Sequence, residues 1–167
     1  GMSFTDAIKS GFRNYANFKG RASRSEFWWW TLFAVLVQAA TSGLNDNINS
    51  VASLVLLLPG IAVNVRRLHD TNRRGTWLIW PVLTLVVGVV SFVLFAVSAS
   101  LDLAKTSEWD LENKVQGAPV VFLVVGGVAL LATLVLGLLN LSFTLMKSDS
   151  EMNRFGPPPP PKSLTTS

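Results

Sequence analysis

The residues best equipped for chemistry fall in two short runs, Gly20-Arg21-Ala22-Ser23-Arg24-Ser25-Glu26-Phe27-Trp28 and Arg66-Arg67-Leu68-His69-Asp70, with Arg73 just beyond the second. Five arginines, Arg21, Arg24, Arg66, Arg67 and Arg73, stand against two carboxylates, Glu26 and Asp70. A guanidinium fork suits carboxylate and phosphate alike. The pattern predicts that Glu26 and Asp70 are structural ion-pair partners of two or more of these arginines. The surplus positive charge could then hold a lipid headgroup or another anion.

His69 beside Asp70 could serve as a base or as a pH-sensitive group. A base needs a substrate or nucleophile within reach, and no nucleophile elbow, P-loop, dinucleotide glycine pattern or HExxH run supplies one. One histidine and no cysteine argue against a zinc site. The motifs therefore suggest no catalytic residue, no metal and no cofactor, and the expectation is a protein that is not an enzyme.

The elements that carry these runs are apolar. Half of the 167 residues are hydrophobic and 14% are charged, against about 25% charged in soluble domains. Residues 27–45, 47–65, 76–101 and 115–146 contain no charged side chain. About 20 apolar residues cross a bilayer as a helix. The expected fold is all-α, a polytopic membrane protein with four transmembrane helices at about 27–45, 48–65, 76–101 and 118–146. Its domains are a cytoplasmic N-terminal segment (1–26), the membrane domain (27–146) and a cytoplasmic Pro-rich tail (147–167). Gly1 before Met2 reads as a tag scar, and the first span as its own insertion signal.

Charge sets the orientation. Twelve of the fourteen Lys and Arg lie before the first span, between the second and third, or after the fourth. Cytoplasmic loops are enriched in these residues, so both termini are expected in the cytoplasm. The net charge of +4 reflects this asymmetry rather than nucleic-acid binding. The loop from Asp102 to Gly117 is acidic and partly apolar, which suggests the outer leaflet.

Local patterns fill in the rest. Ser3 to Asp6 and Ser23 to Glu26 resemble capping boxes. Phe4, Ile8, Phe12 and Tyr15 follow at helical spacing, predicting a short amphipathic helix that lies in the interface or packs on the bundle. Trp28, Trp29, Trp30, Trp77 and Trp80 suit the headgroup level. Gln38 with Ala34 and Ser42 marks one helix-packing stripe, and Ala129, Thr133 and Gly137 another. Pro59-Gly60 predicts a kink, Asn45 to Ser50 a tight turn and Thr76 a helix cap. Pro157 to Pro161 predict an extended tail.

The two arginine runs, together with Asn153-Arg154-Phe155-Gly156-Pro157, resemble the signatures of the domain-of-unknown-function 805 family, YhaH-like bacterial inner-membrane proteins. The resemblance covers roughly Phe18 to Pro159. Arg74 and Thr76 depart from the family's common residues, and the acidic loop is long. The resemblance implies an inner (plasma) membrane protein and implies no activity. The expected partners are membrane lipids, anionic ones included, a second copy of the chain, or another envelope protein. The alternative is a small transporter or channel, formed by an oligomer.

Overall fold

The structure is a computed structural model, in which residues 2–105 and 118–159 are described. It is helical, with α1 at Phe4–Arg13, α2 at Arg24–Ser42, α3 at Asp46–Asp70, a 3-10 turn at Gly75–Leu78, α4 at Ile79–Lys105 and α5 at Ala118–Leu145. Among the described residues, three stretches are long and apolar enough to cross a membrane: Asp46–Asp70, Gly75–Ala104 and Pro119–Leu145. Four were expected. The 19-residue α2 does not qualify, because Arg24, Glu26, three tryptophans and Gln38 dilute its apolar content.

The chain forms two compact units, residues 1–77 with 141–167, and residues 78–140. In the first, α2 and α3 run antiparallel in constant register. Arg66 meets Glu26 at one end. Gly60 lies against Trp30 in the middle, and Ser53 meets Gln38 further along. Trp30, Leu56 and Val63 form the buried core, flanked by Phe27, Phe33, Ala34 and Val37.

The α1 helix packs across this hairpin through its aromatic face. Phe4 meets Trp29 edge-on at 5.7 Å, and Phe12 meets Trp30 at 5.3 Å. At Gly11 the approach is so close that a Cβ would lie 2.2 Å from the Trp30 ring. Pro59 sits inside α3. A proline has no N–H for the carbonyl four residues back, and inside a bilayer such a carbonyl needs another donor. Tyr15 provides it, its hydroxyl donating to the Val55 carbonyl at 3.0 Å. Of the two predicted roles for this aromatic face, packing on the bundle is present. Phe12, Tyr15 and Phe18 each remain about two-fifths exposed along its edge.

The second unit is the α4–α5 hairpin. Its register pairs Thr84 with Thr133, whose hydroxyls lie 2.8 Å apart. A Cβ on Gly88 would meet Leu130 at 2.8 Å, and one on Gly126 would meet Ser91 and Phe92. Ala129 is buried, and Thr133 bonds Thr84 across the hairpin. Gly137 takes no part in this contact, since a Cβ there would meet nothing within 4 Å. The register places it opposite the first turn of α4, beyond the body of the contact.

Several boundaries differ from expectation. The α2–α3 turn is only Gly43 to Asn45, because Asn45 caps α3 by accepting from the Ile48 amide. Arg66 to Asp70 belong to the last turns of α3 rather than to a loop. Thr76 lies inside the 3-10 turn rather than capping α4. Of the acidic loop, residues 106–117 lie outside the described residues, and α4 itself reaches Lys105.

Candidate functional site: an arginine clasp

The end of α3 is held by the segment before α2 and the segment after α5. Ser23 caps α2 by accepting from the Glu26 amide at 3.2 Å. Just before it, Gly20 takes a φ of +86°, which suits a residue without a Cβ. That turn lays Gly20 to Ala22 along α3, where the Ala22 amide donates to the Arg66 carbonyl at 3.0 Å.

Asp70 is the centre. Its Oδ1 accepts from Arg21 Nε at 2.9 Å and its Oδ2 from Arg67 Nη1, with all three side chains at most 1% exposed. Two guanidiniums against one carboxylate would leave a buried positive charge, and backbone carbonyls answer it. Arg67 donates to the carbonyls of Thr144, Met146 and Ala22. Arg21 donates to those of Glu151, Asp149 and Asp70. Thr144 lies in the last turn of α5, where helix carbonyls lack internal partners and carry the negative end of the dipole. The buried arginines therefore cap a helix as well as pair an aspartate.

Glu26 makes a second centre. Its Oε1 accepts from Arg66 Nη1 at 2.9 Å and from the Ser10 hydroxyl at 2.7 Å. It was expected to complete a capping box; instead its carboxylate joins α1 to α3. Arg66 Nε and Nη2 are buried with no partner among the described residues.

The chain after α5 closes over His69. Phe155 stacks on the imidazole with ring centroids 3.9 Å apart and planes 5° from parallel. His69 Nδ1 lies 3.0 Å from the Gly20 carbonyl, which can only accept, so Nδ1 carries a proton. Asn153 Nδ2 donates to the His69 carbonyl at 2.9 Å, and Arg154 Nη2 to that of Asn72 at 2.8 Å. Asn153 and Gly156 bond to each other across a tight turn in which Gly156 has a φ of +122°. Residues 147–167 were expected to be a Pro-rich tail, extended from Pro157 to Pro161; from Lys147 through Gly156 the chain is a folded strap. Residues 160–167 lie outside the described residues.

The expected site residues thus separate by environment. Arg21, Arg66, Arg67, Glu26 and Asp70 are brought together and buried. Arg24 is exposed and reaches only the Leu145 carbonyl, at 3.4 Å. Arg73 lies 3.9 Å over the Phe143 ring and donates to the Thr71 carbonyl. Three of the five arginines expected to face a headgroup are therefore spent inside the protein. Both carboxylates are occupied by guanidiniums. Gln38 donates to Ser53 at 2.8 Å as an interhelical tie. Ser10, Tyr15 and Phe155 take part without having been singled out for these roles. Only Phe155 had a signal, its place in the Asn153 to Pro157 run.

Comparison with known proteins gives the same grouping. The family described as "Protein of unknown function (DUF805)" matches residues 15–157. The inner membrane protein YhaI of Escherichia coli is 34% identical over 93 residues, which is 52% of this chain and 79% of that one. The inner membrane protein YhaH of the same organism is 32% identical over 77 residues, 39% of this chain and 63% of that one. The E. coli uncharacterized protein YiiR is 42% identical over 67 residues, 36% of this chain and 46% of that one. No solved structure matches. All three motifs of the clasp fall within the matched residues, and the chain belongs to the DUF805 family of unknown function, as an integral protein of the inner membrane.

Proposed function

We propose that this is a non-catalytic interaction protein of the inner membrane, whose cytoplasmic face engages anionic phospholipid. One observation carries the reading. The clasp consumes Glu26 and Asp70 internally, while Lys9, Arg13, Lys19, Arg24, Arg74, Lys147 and Arg154 remain exposed in the same unit, against exposed Asp6 and Glu151. Juxtamembrane Lys and Arg each gain about 1 kcal/mol near an anionic leaflet.

The reading includes four crossings with both termini in the cytoplasm. Support comes from the α2–α3 register: α2 is bonded to α3 near both ends, from Glu26–Arg66 to Thr41–Asn49. If α3 crosses the bilayer, α2 must return through the same depth. Reporter fusions at the N-terminus and at residue 159 should then report the same side of the membrane, and one at Asn45 the opposite side. Reports that place the N-terminal fusion and the Asn45 fusion on one side would overturn the fourth crossing.

For lipid engagement, the intact protein is extracted with native lipid and examined by native mass spectrometry. Phosphatidylglycerol should be retained over phosphatidylcholine, and the preference should shrink in high salt. Equal retention of the two would overturn the reading.

A second reading, transport, is favoured by one feature. A groove of about 740 Å³ along α2 and α3 is lined in part by Thr31, Gln38, Ser42, Asn49 and Asn64. Polar groups within the bilayer often mark transport paths. Ion flux in proteoliposomes that Gln38→Leu abolishes would establish it.

A further inference from the structure

The pocket at the start of α2 has an amphipathic gradient. It is an open groove of about 530 Å³, lined by Arg24, Ser25, Trp28, Trp29, Leu32 and Leu145. Arg24 is exposed, and among the described residues its side chain bonds only the Leu145 carbonyl, at 3.4 Å. Among the described residues, no carboxylate lines the groove. One α-helical turn separates Arg24 from Trp28, and a second leads to Leu32, about 6 Å per four residues. Cation, indoles and aliphatic floor therefore follow one another along the helix axis.

The indoles are fixed in advance of any ligand. Trp28 meets Phe27 edge-on at 5.1 Å, and Trp29 meets Phe4 at 5.7 Å. Their ring N–H groups have no hydrogen-bond partner among the described residues. Trp29 is 40% exposed. An indole is amphipathic and favours the headgroup level of a bilayer, where its N–H can find an acceptor.

We infer that this pocket is a binding site for one anionic phospholipid. Resting on the lipid reading above, it assigns the contact to one place. Arg24 receives the phosphate, the indole N–H groups face the ester region, and an acyl chain follows Leu32. The charge is complementary, since the cavity presents a cation with no compensating carboxylate. The polarity falls along α2 in the order that a phospholipid's does, from headgroup to chain. A free phosphate would match only the Arg24 end and leave the apolar floor uncovered.

The test uses tryptophan quenching in the full chain, reconstituted into phosphatidylcholine vesicles. Phosphatidylglycerol with brominated acyl chains is added as a minor component, and brominated phosphatidylcholine serves as the comparison. Brominated phosphatidylglycerol should quench at the lower mole fraction. Arg24→Gln should raise its half-quenching fraction about fivefold, the equivalent of about 1 kcal/mol for one juxtamembrane charge. Arg24→Lys, which keeps the charge, should restore most of the preference. An unchanged preference in Arg24→Gln would overturn the site while leaving the lipid reading intact. No preference in the wild-type protein would overturn both. Quenching by neither brominated lipid would mean that protein, rather than lipid, covers the indoles, and would also overturn the site.

Discussion

The two hairpins solve one problem differently. Lipid chains are as apolar as leucine, so apolar surface alone does not hold helices together in a bilayer; close packing and interhelical hydrogen bonds do. The α4–α5 hairpin relies mainly on proximity, with Gly88 under Leu130, Gly126 against Phe92, and the hydroxyl pair of Thr84 and Thr133. The α2–α3 hairpin is tied by polar groups along its length. Thr41 donates to Asn49 at 3.0 Å and Gln38 to Ser53 at 2.8 Å, and Glu26 takes Arg66 at the other end. It also carries α1 across its flank. The contrast shows that burying charge requires many satisfied partners at once, whereas close packing requires only the absence of side-chain atoms.

Three comparisons, each built on one or two substitutions, break or sharpen this contrast. The largest effect belongs to Asp70→Ala, which would strand Arg21 and Arg67 without a carboxylate. Breaking a buried pair in this way costs about 3–5 kcal/mol. Thermal melts followed by tryptophan fluorescence in detergent should show a much less stable protein, and limited proteolysis should cut the strap at residues 147–156. A melt unchanged from wild type would mean that the clasp does not hold the first unit together.

Tyr15→Phe should cost less. It leaves the Val55 carbonyl, on an exposed stretch of α3, without its donor, at about 1 kcal/mol for a typical hydrogen bond. Hydrogen exchange should rise in α1 while α4 is unaffected. Pairing it with Pro59→Ala tests the cause, because alanine returns the helical donor and should make the loss of the hydroxyl nearly harmless.

The smallest effect is expected in the other hairpin. Thr133→Val removes the hydrogen bond to Thr84 but keeps the shape, at about 0.6 kcal/mol for an average interhelical bond in a membrane. Gly88→Val should exceed it, because added side-chain atoms collide with Leu130. If Thr133→Val instead proved the more damaging of the two, the α4–α5 contact would rest on its hydroxyls and the contrast between the hairpins would fail.

Much of this was legible in the residues themselves. Runs of charge-free apolar residues announce membrane helices, because a bilayer of fixed thickness demands a fixed length of them. The partnership of Glu26 and Asp70 with the arginines was legible too, since so few carboxylates stand beside so many guanidiniums. Ser3 and Ser23 announced the starts of α1 and α2, because a cap acts only on its own first turn. The crossing strength of α2 was overestimated: its tryptophans and Gln38 serve contacts as much as lipid.

The amino-acid order alone determined the helical class, the membrane as solvent and the clustering of positive charge, all of which follow from composition and local spacing. Tertiary structure decided which arginines are spent and which are left. Arg21 and Asp70 lie 49 residues apart, and Arg67 reaches Thr144 across 77. No local pattern distinguishes a buried guanidinium from an exposed one three residues away. That depends on which carbonyls and carboxylates the folded chain brings within about 3 Å, and the chain's path alone sets it.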